Sequence, residues 1–425
     1  MASPGSTISQ ASVSESNRSR ILSHLYHHGV SSRAQIAKAL DLTPAAITKI
    51  TAHLIDGGLI AESQQTEANR RGRPIGLRLD KGRFHVVGVK FARSLVQIGV
   101  FDLAGKRISL HELPTVDEST IQRTIHLIHQ QIEELLAGDR LIIAIGMAVP
   151  GPYLRTVGRT ALVSSMQGWR RINLIREFGR SFSVPVFIEQ DARAGALAEH
   201  LFSQGLKSQN MAYYLLGEGI GLGVVDQGRL VNGALGAASE LGHISIDING
   251  RPCDCGNLGC LEGYCSAIAV HQLIADRQLV PGAQAMTHRQ ACQALFDQAA
   301  AGDAPSLQAV KEIGRYVGYG CVTIINAFNP ERIVIGDIVS AAGKPLLRAI
   351  QDVVDERVIP ELNDSTSISL SCLPTDAIIS GAAAVAITQF LNHPSLFARG
   401  DLSSGPPSHS STSHSKQPAE QYQQQ

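Results

Sequence analysis

The chain has 425 residues, enough for two or three compact units at the usual ~100 to 200 residues each. Lys+Arg and Asp+Glu both number 37, so the formal net charge is +0. That balance excludes a globally basic nucleic-acid coat and an acidic solvating tail, and any basic function has to be local. The longest apolar runs, such as Leu141 to Val149, fall short of the ~18 residues a membrane helix needs. Met1 to Ser16 is rich in Ser and Ala with no apolar core after a positive start, so neither membrane insertion nor secretion is expected and the chain is assigned to the cytoplasm.

Along the chain, residues 1–16 read as a flexible N-terminus, 17–80 as a small helical unit with a basic end, and 83–391 as a long α/β stretch. Residues 392–425 are Ser, Pro, His and Gln with few apolar side chains, which cannot bury enough surface to offset chain entropy, so this tail is expected to be disordered.

In the small unit, Ile21, Leu22 and Leu25 give a first helix an apolar face. After Gly29, Ser31 or Ser32 can cap a second helix carrying Ile36, Ala37 and Leu40. Thr43-Pro44 supplies an N-cap and then a proline at the first helical position, where its missing N–H costs nothing, so a third helix starts there. Ile47, Ile50 and Leu54 face inward from it, leaving Thr43, Ala45, Ala46, Thr48, Lys49 and His53 for a DNA major groove. Gly57-Gly58 ends this helix, Leu59-Ile60 starts a strand, and Ile75, Leu77 and Leu79 alternate as its return. The hairpin tip between them carries Arg70, Arg71, Gly72, Arg73 and Pro74. Arg71 and Arg73 suit a narrow minor groove, where guanidinium groups sense the enhanced negative potential of A·T-rich DNA. Residues 17–80 hold nine Lys/Arg against five acids, a local positive excess in a neutral protein, and the unit reads as a winged helix-turn-helix.

In the α/β stretch, apolar runs at His85 to Val89, Val96 to Phe101, Leu141 to Ala148, Val186 to Ile188, Met211 to Leu216 and Ile333 to Ile335 alternate with helical patterns. Of those patterns, Thr120 to Leu136 and Leu307 to Phe328 are the clearest. Strands alternating with helices predict a largely parallel, helix-covered sheet in two lobes.

The strongest chemical signal is His243 followed by Cys253, Cys255 and Cys260. Three thiolates and an imidazole make a closed tetrahedral zinc set, and Gly256 and Gly259 let the backbone turn tightly between the sulfurs. With no open coordination position the zinc reads as structural rather than hydrolytic. The alternative is a Cys255–Cys260 disulfide or a group of buried thiols; Cys265 is close enough in sequence to be a spare ligand and is left out.

Together with Pro150-Gly151-Pro152, Glu189-Gln190-Asp191-Ala192, Gly217 to Gly223, Glu240-Leu241-Gly242-His243, the Cys-rich run to Glu262 and Asn329-Pro330-Glu331, these features resemble the ROK family of repressors, open reading frames and sugar kinases, in its DNA-binding repressor branch. The resemblance spans about residues 17–391 and implies two actin-like, ribonuclease-H-like α/β lobes with a sugar in the cleft. It implies that Asp191 stands where kinase members have their catalytic base, with Gln190 where they usually have Asn, and that Glu240, His243 and Glu262 contact sugar hydroxyls, His243 serving the zinc as well. Carboxylates beside a rigid knuckle suit that role, since they accept hydrogen bonds from adjacent hydroxyls.

Two stretches depart from the kinase pattern. Lys90-Phe91-Ala92-Arg93-Ser94 stands where kinase members have an acidic residue followed by glycines, and Glu218 adds negative charge to the second phosphate loop, Gly217 to Gly223. The expectation is therefore a non-enzymatic regulator, a dimer or tetramer that represses sugar uptake or catabolism genes. It would bind operator DNA and respond to a hexose, an amino sugar or a sugar phosphate. The competing readings are an ATP-dependent sugar kinase with a DNA-binding appendage, and a regulator sequestered by a sugar-transport protein partner.

Overall fold

Ser32 and Thr43 start two of the N-terminal helices. The computed structural model describes residues 10–63, 75–92, 95–161, 167–203 and 208–397. Helix α1 (Gln10–His28) is followed by a two-residue strand β1 (Ser31–Ser32), α2 (Arg33–Leu40) and α3 (Pro44–Asp56). The Ser32 hydroxyl accepts from Gln35 N–H while the Gln35 side chain accepts from Ser32 N–H at 2.7 Å, a reciprocal cap. Thr43 accepts from Ala46 N–H at 3.2 Å with Pro44 in the first turn. Ile47, Ile50 and Leu54 are buried against Ile21, Leu22, Leu25 and Ile36, as the spacing predicts. Strands β2 (Ala61–Ser63) and β3 (Gly76–Arg78) pair antiparallel, with β1 on the other side of β3. Leu77 and Leu79 close the core, whereas Ile75 is exposed. The hairpin tip with Arg71 and Arg73 lies outside the described residues.

Two boundaries differ from expectation. Residues 10–16, expected to be flexible, form the first turns of α1, and Glu15 accepts from the Ser395 N–H at 3.0 Å. That partner belongs to the expected disordered tail, whose residues 394–397 instead form a 3₁₀ turn that packs Phe397 on Phe390 with ring centroids 5.5 Å apart. Two apolar side chains late in a polar stretch suffice to extend the packed chain; residues 398–425 lie outside the described residues.

The first lobe contains β4 (His85–Phe91), β5 (Val96–Asp102), β6 (Arg107–Glu112), α4 (Ile121–Gly138), β7 (Ile142–Val149), the small hairpin β8 (Tyr153–Leu154) and β9 (Arg159–Thr160), α5 (Leu174–Phe178), β10 (Val186–Gln190) and α6 (Asp191–Phe202). Its sheet runs β10-β7-β4-β5-β6. The second lobe contains β11 (Met211–Leu216), β12 (Ile220–Asp226), β13 (Arg229–Leu230), α7 (Glu262–Cys265), α8 (Ala267–Asp276), α9 (His288–Ala300), α10 (Ala304–Phe328), β14 (Arg332–Gly336), α11 (Gly343–Arg357), α12 (Pro360–Ser365) and β15 (Ser367–Leu370), with sheet order β13-β12-β11-β14-β15. The last helix, α13 (Ala377–Asn392), returns to the first lobe. The sheets are mixed rather than largely parallel: β4-β5-β6 and β11-β12-β13 pair antiparallel. The links inside those triplets are a few residues long, too short for the crossover a parallel pair needs.

Helix α13 lies against the first sheet and α6 through small residues. A Cβ on Gly146 would fall 1.8 Å from the Ala382 carbonyl oxygen, and one on Gly381 2.4 Å from the Ala194 backbone. The far end of α13 enters a core shared with the N-terminal unit, in which Leu25 and Tyr26 meet Phe84, Ile387 and Phe390. Tyr26 also donates its hydroxyl proton to the Leu103 carbonyl at 2.9 Å. The helix-turn-helix and the first lobe therefore share one apolar core.

Candidate functional site

Strand β10 ends at Gln190 and α6 begins at Asp191, so the strand-to-helix switch sets Asp191 at a helix N-terminus facing the space between the lobes. That space is a cavity of about 390 Å³ whose lining includes Gln190, Asp191, Glu240, His243 and Glu262, all five of the side chains expected to meet a sugar. Gln190 Nε2 donates to Glu240 Oε1 at 3.2 Å, and Glu262 Oε2 accepts from Ile220 N–H at 2.8 Å. Burial pushes the Glu240 carboxyl up to about 7, and the nearby Asp191 charge adds to the shift.

The end of β10 is held from below by a group that the sequence reading did not single out. Glu189 is 3% exposed and accepts from Arg193 Nε at 2.8 Å and from Arg155, while Arg193 donates to Asn232 Oδ1 at 2.6 Å. Burial alone would raise the Glu189 carboxyl; the Arg193 and Arg155 guanidiniums outweigh it and hold the group below its ordinary value. The signal was present as an opposite-charge pair at i, i+4 across the strand–helix junction.

The floor of the cleft carries a second set. Lys90 Nζ lies 2.6 Å from Asp376 Oδ2, and Arg289 donates to Asp337 Oδ1 at 2.9 Å. Asp337 follows β14 with φ 72° and ψ −156°, a backbone conformation that costs a non-glycine residue of order 1–3 kcal/mol. Of the first phosphate-loop stretch, Arg93 and Ser94 lie outside the described residues; Lys90 is a buried ion-pair partner rather than a loop residue.

Beside the cleft, one ligand atom from each of His243, Cys253, Cys255 and Cys260 lies within 4.8 Å of all the others. Cys255 Sγ and Cys260 Sγ are 3.7 Å apart, as are Cys253 Sγ and His243 Nδ1. A disulfide needs about 2.05 Å between sulfurs. Sulfurs ~2.3 Å from a tetrahedral zinc stand roughly 3.8 Å from one another, so the donor set and its spacing fit that ion. A Cβ on Gly259, at φ 66°, would lie 1.7 Å from the Asp247 carbonyl oxygen, so this turn requires glycine. His243 belongs to the cluster and also lines the cavity, so one imidazole can serve both. Cys265 stands apart, buried with its thiol toward the Leu261 carbonyl.

On α3, Thr43, Ala45, Thr48, Lys49 and His53 are exposed and Ala46 is half-buried. The side chains expected to meet a major groove are thus open to solvent apart from Ala46, and Arg33 pins α2 to β2 through Glu62 at 3.0 Å.

A helix-turn-helix unit of the winged type joined to a two-lobed actin-like unit of the sugar-kinase type is the class this architecture defines. A model described as ROK family matches residues 86–389, and one described as MarR family matches residues 15–72. The chain belongs to the ROK family. It is 29% identical over 386 residues to a xylose repressor of Bacillus spizizenii, covering 90% of this chain and 98% of that protein. It is 30% identical over 380 residues to the DNA-binding transcriptional dual regulator NagC of Escherichia coli strain K12, covering 88% and 93%. A solved structure of a ROK family transcriptional regulator, a homolog of the E. coli MLC protein, superposes with a TM-score of 0.75 at 30% identity, covering 90% of this chain and 98% of that one.

Proposed function

We propose that this protein is a sugar-responsive transcriptional regulator, acting as a repressor of sugar uptake or catabolism genes. The observation that carries the reading is the shared core: a helix-turn-helix with an exposed polar recognition face is built into the same apolar cluster as the lobe that bears Gln190 and Asp191. Thr43, Ala45, Ala46, Thr48 and Lys49 would face the major groove, with Arg71 and Arg73 in the minor groove. Gln190, Asp191, Glu240, His243 and Glu262 would hold the effector, and the relatives' names, a xylose repressor among them, support a sugar.

A change in lobe angle would reach the DNA-binding unit through α13, whose two ends touch the cleft floor and the helix-turn-helix core. Such a shift requires the effector to bind the two states with different affinity. A homodimer, or a tetramer built from one, would present paired recognition helices to a pseudo-palindromic operator. Zinc at His243, Cys253, Cys255 and Cys260 would have a structural part, fixing His243 and the neighbouring Glu262 at the cleft wall.

The kinase reading is disfavoured by Lys90 being spent on Asp376 and by carboxylates at Glu218 and Asp337 beside the glycine loop. Titrating the purified protein with a sugar panel, with and without ATP and operator DNA, tests the proposal: sugar-dependent operator release without ATP turnover is expected. Sugar phosphate formation that depends on Asp191 would promote the kinase, and operator release that ignores every sugar would favour sequestration by a protein partner.

A further inference from the structure

Acidic side chains dominate the charged lining of the cleft. Among the described residues that line it, six carboxylates (Glu112, Asp191, Glu218, Glu240, Glu262, Asp337) face two cationic side chains, Lys90 and Arg289. Both cations already have carboxylate partners, Lys90 in Asp376 at 2.6 Å and Arg289 in Asp337 at 2.9 Å. The glycine loop is also committed. The Gly217 N–H donates to the Gly219 carbonyl at 3.0 Å, and the Ile220 N–H donates to Glu262 at 2.8 Å. Loops that cradle phosphates keep such N–H groups free and set a cation beside them.

Asp337 completes the reversal. Its backbone is held at φ 72°, and its Oδ2 lies 2.5 Å from the point a Cβ on Gly217 would occupy, so a carboxylate stands directly against the first glycine of the loop. On the same cavity lining, Gln190 is 3% exposed, and its Oε1 is buried with no hydrogen-bond partner while Nε2 is used by Glu240. A buried acceptor without a donor is costly unless a ligand supplies one.

We infer that Asp337, with Glu218, is a specificity-determining residue: it bars phosphoryl groups from the cleft, so the effector is an unphosphorylated sugar rich in hydroxyl, amide or ammonium donors, one of which meets Gln190 Oε1. The inference rests on the cleft being the effector site. It separates the phosphorylated from the unphosphorylated effectors that the five sugar-facing side chains by themselves admit.

The test is calorimetric titration of the full chain with paired probes: glucose and glucose 6-phosphate, N-acetylglucosamine and its 6-phosphate, together with xylose and glucosamine. At least one unphosphorylated probe should bind, with its 6-phosphate weaker by about a hundredfold or more, since a like charge facing a desolvated carboxylate is strongly disfavoured. That gap should narrow about tenfold or more in Asp337→Asn, and in Glu218→Gln should the first variant fold poorly. A 6-phosphate that binds as tightly as its parent sugar, or a gap that neither variant alters, overturns the inference and leaves the sensor reading standing. Absence of binding by every probe overturns both.

Discussion

Lys90, on the first strand of the first lobe, and Asp376, at the start of the last helix, meet at 2.6 Å across 286 positions of sequence. Lys90 is 3% exposed, and Asp376 also accepts from the N–H groups of Ile378 and Ile379, so one carboxylate joins a buried ammonium to a helix N-terminus. Burial alone would raise the Asp376 carboxyl; the Lys90 charge outweighs it and holds the group below its usual 3.8.

Removing one partner of this pair should be costly. Lys90→Met leaves the Asp376 charge unpaired and should lower unfolding free energy in urea by about 3 kcal/mol, the low end for a pair with one half-exposed member. Because the folded carboxyl is depressed, the pair's contribution is present above the unfolded value of 3.8 and is lost as pH falls through the lower folded value. Acid titration of stability should therefore be shallower in Lys90→Met, and identical acid curves would count against the pair.

Glu240 has the opposite sign. Its folded carboxyl is raised to about 7 from 4.5, so the folded protein binds the extra proton between those values and stability declines across that window as pH rises. The decline attributable to this group is roughly 3 kcal/mol, flat above neutrality and absent in Glu240→Gln. Because the ionised form is the better acceptor for hydroxyl donors, effector affinity should rise from pH 6 to pH 8, with Glu240→Gln removing the slope. Calorimetric titration at both pH values checks this.

The cysteine cluster predicts a tightly held zinc in the purified protein, found by elemental analysis. Cys255→Ser should lose the metal and lower the melting temperature, because forming such a site is coupled to local folding. Ligand thiols must be deprotonated to bind, so a chelator should strip the ion more readily at acidic than at neutral pH. A metal-free preparation with unchanged stability and sugar response would remove zinc from the account.

For DNA, a pseudo-palindromic site with A·T-rich flanks is expected. Lys49→Ala should cost about 1–3 kcal/mol of specific binding while leaving the melting temperature unchanged, since the side chain is exposed. Operator affinity unaltered in Lys49→Ala would move this contact elsewhere in the chain.

The helix-turn-helix was legible because its signals are local: Ser32, Thr43-Pro44 and the spacing of Ile47, Ile50 and Leu54 each act within a few residues. The cysteine cluster was legible for the same reason, with His243 ten residues ahead of Cys253. Lys90 was not: as text it is a defect in a loop, and only the fold brings in Asp376 to explain it. Asp337 was missed because its importance lies in a backbone angle and in its approach to Gly217, neither of which periodicity encodes. The mixed sheets were missed because alternating apolar runs fix strand positions without fixing direction, which here follows from link length.

The central claim, that the cleft controls the DNA-binding unit, is tested most directly by operator release in Asp191→Ala. Asp191 heads α6 at the cleft wall and belongs to no part of the helix-turn-helix core. Losing a charged acceptor for the effector typically costs ~1.5 to 3 kcal/mol, roughly ten- to a hundredfold in affinity. In a mobility-shift titration the variant should occupy operator DNA as the parent does and stay bound at effector concentrations that release the parent. Release at the parent's effector concentration would contradict the account and move sensing away from this cleft.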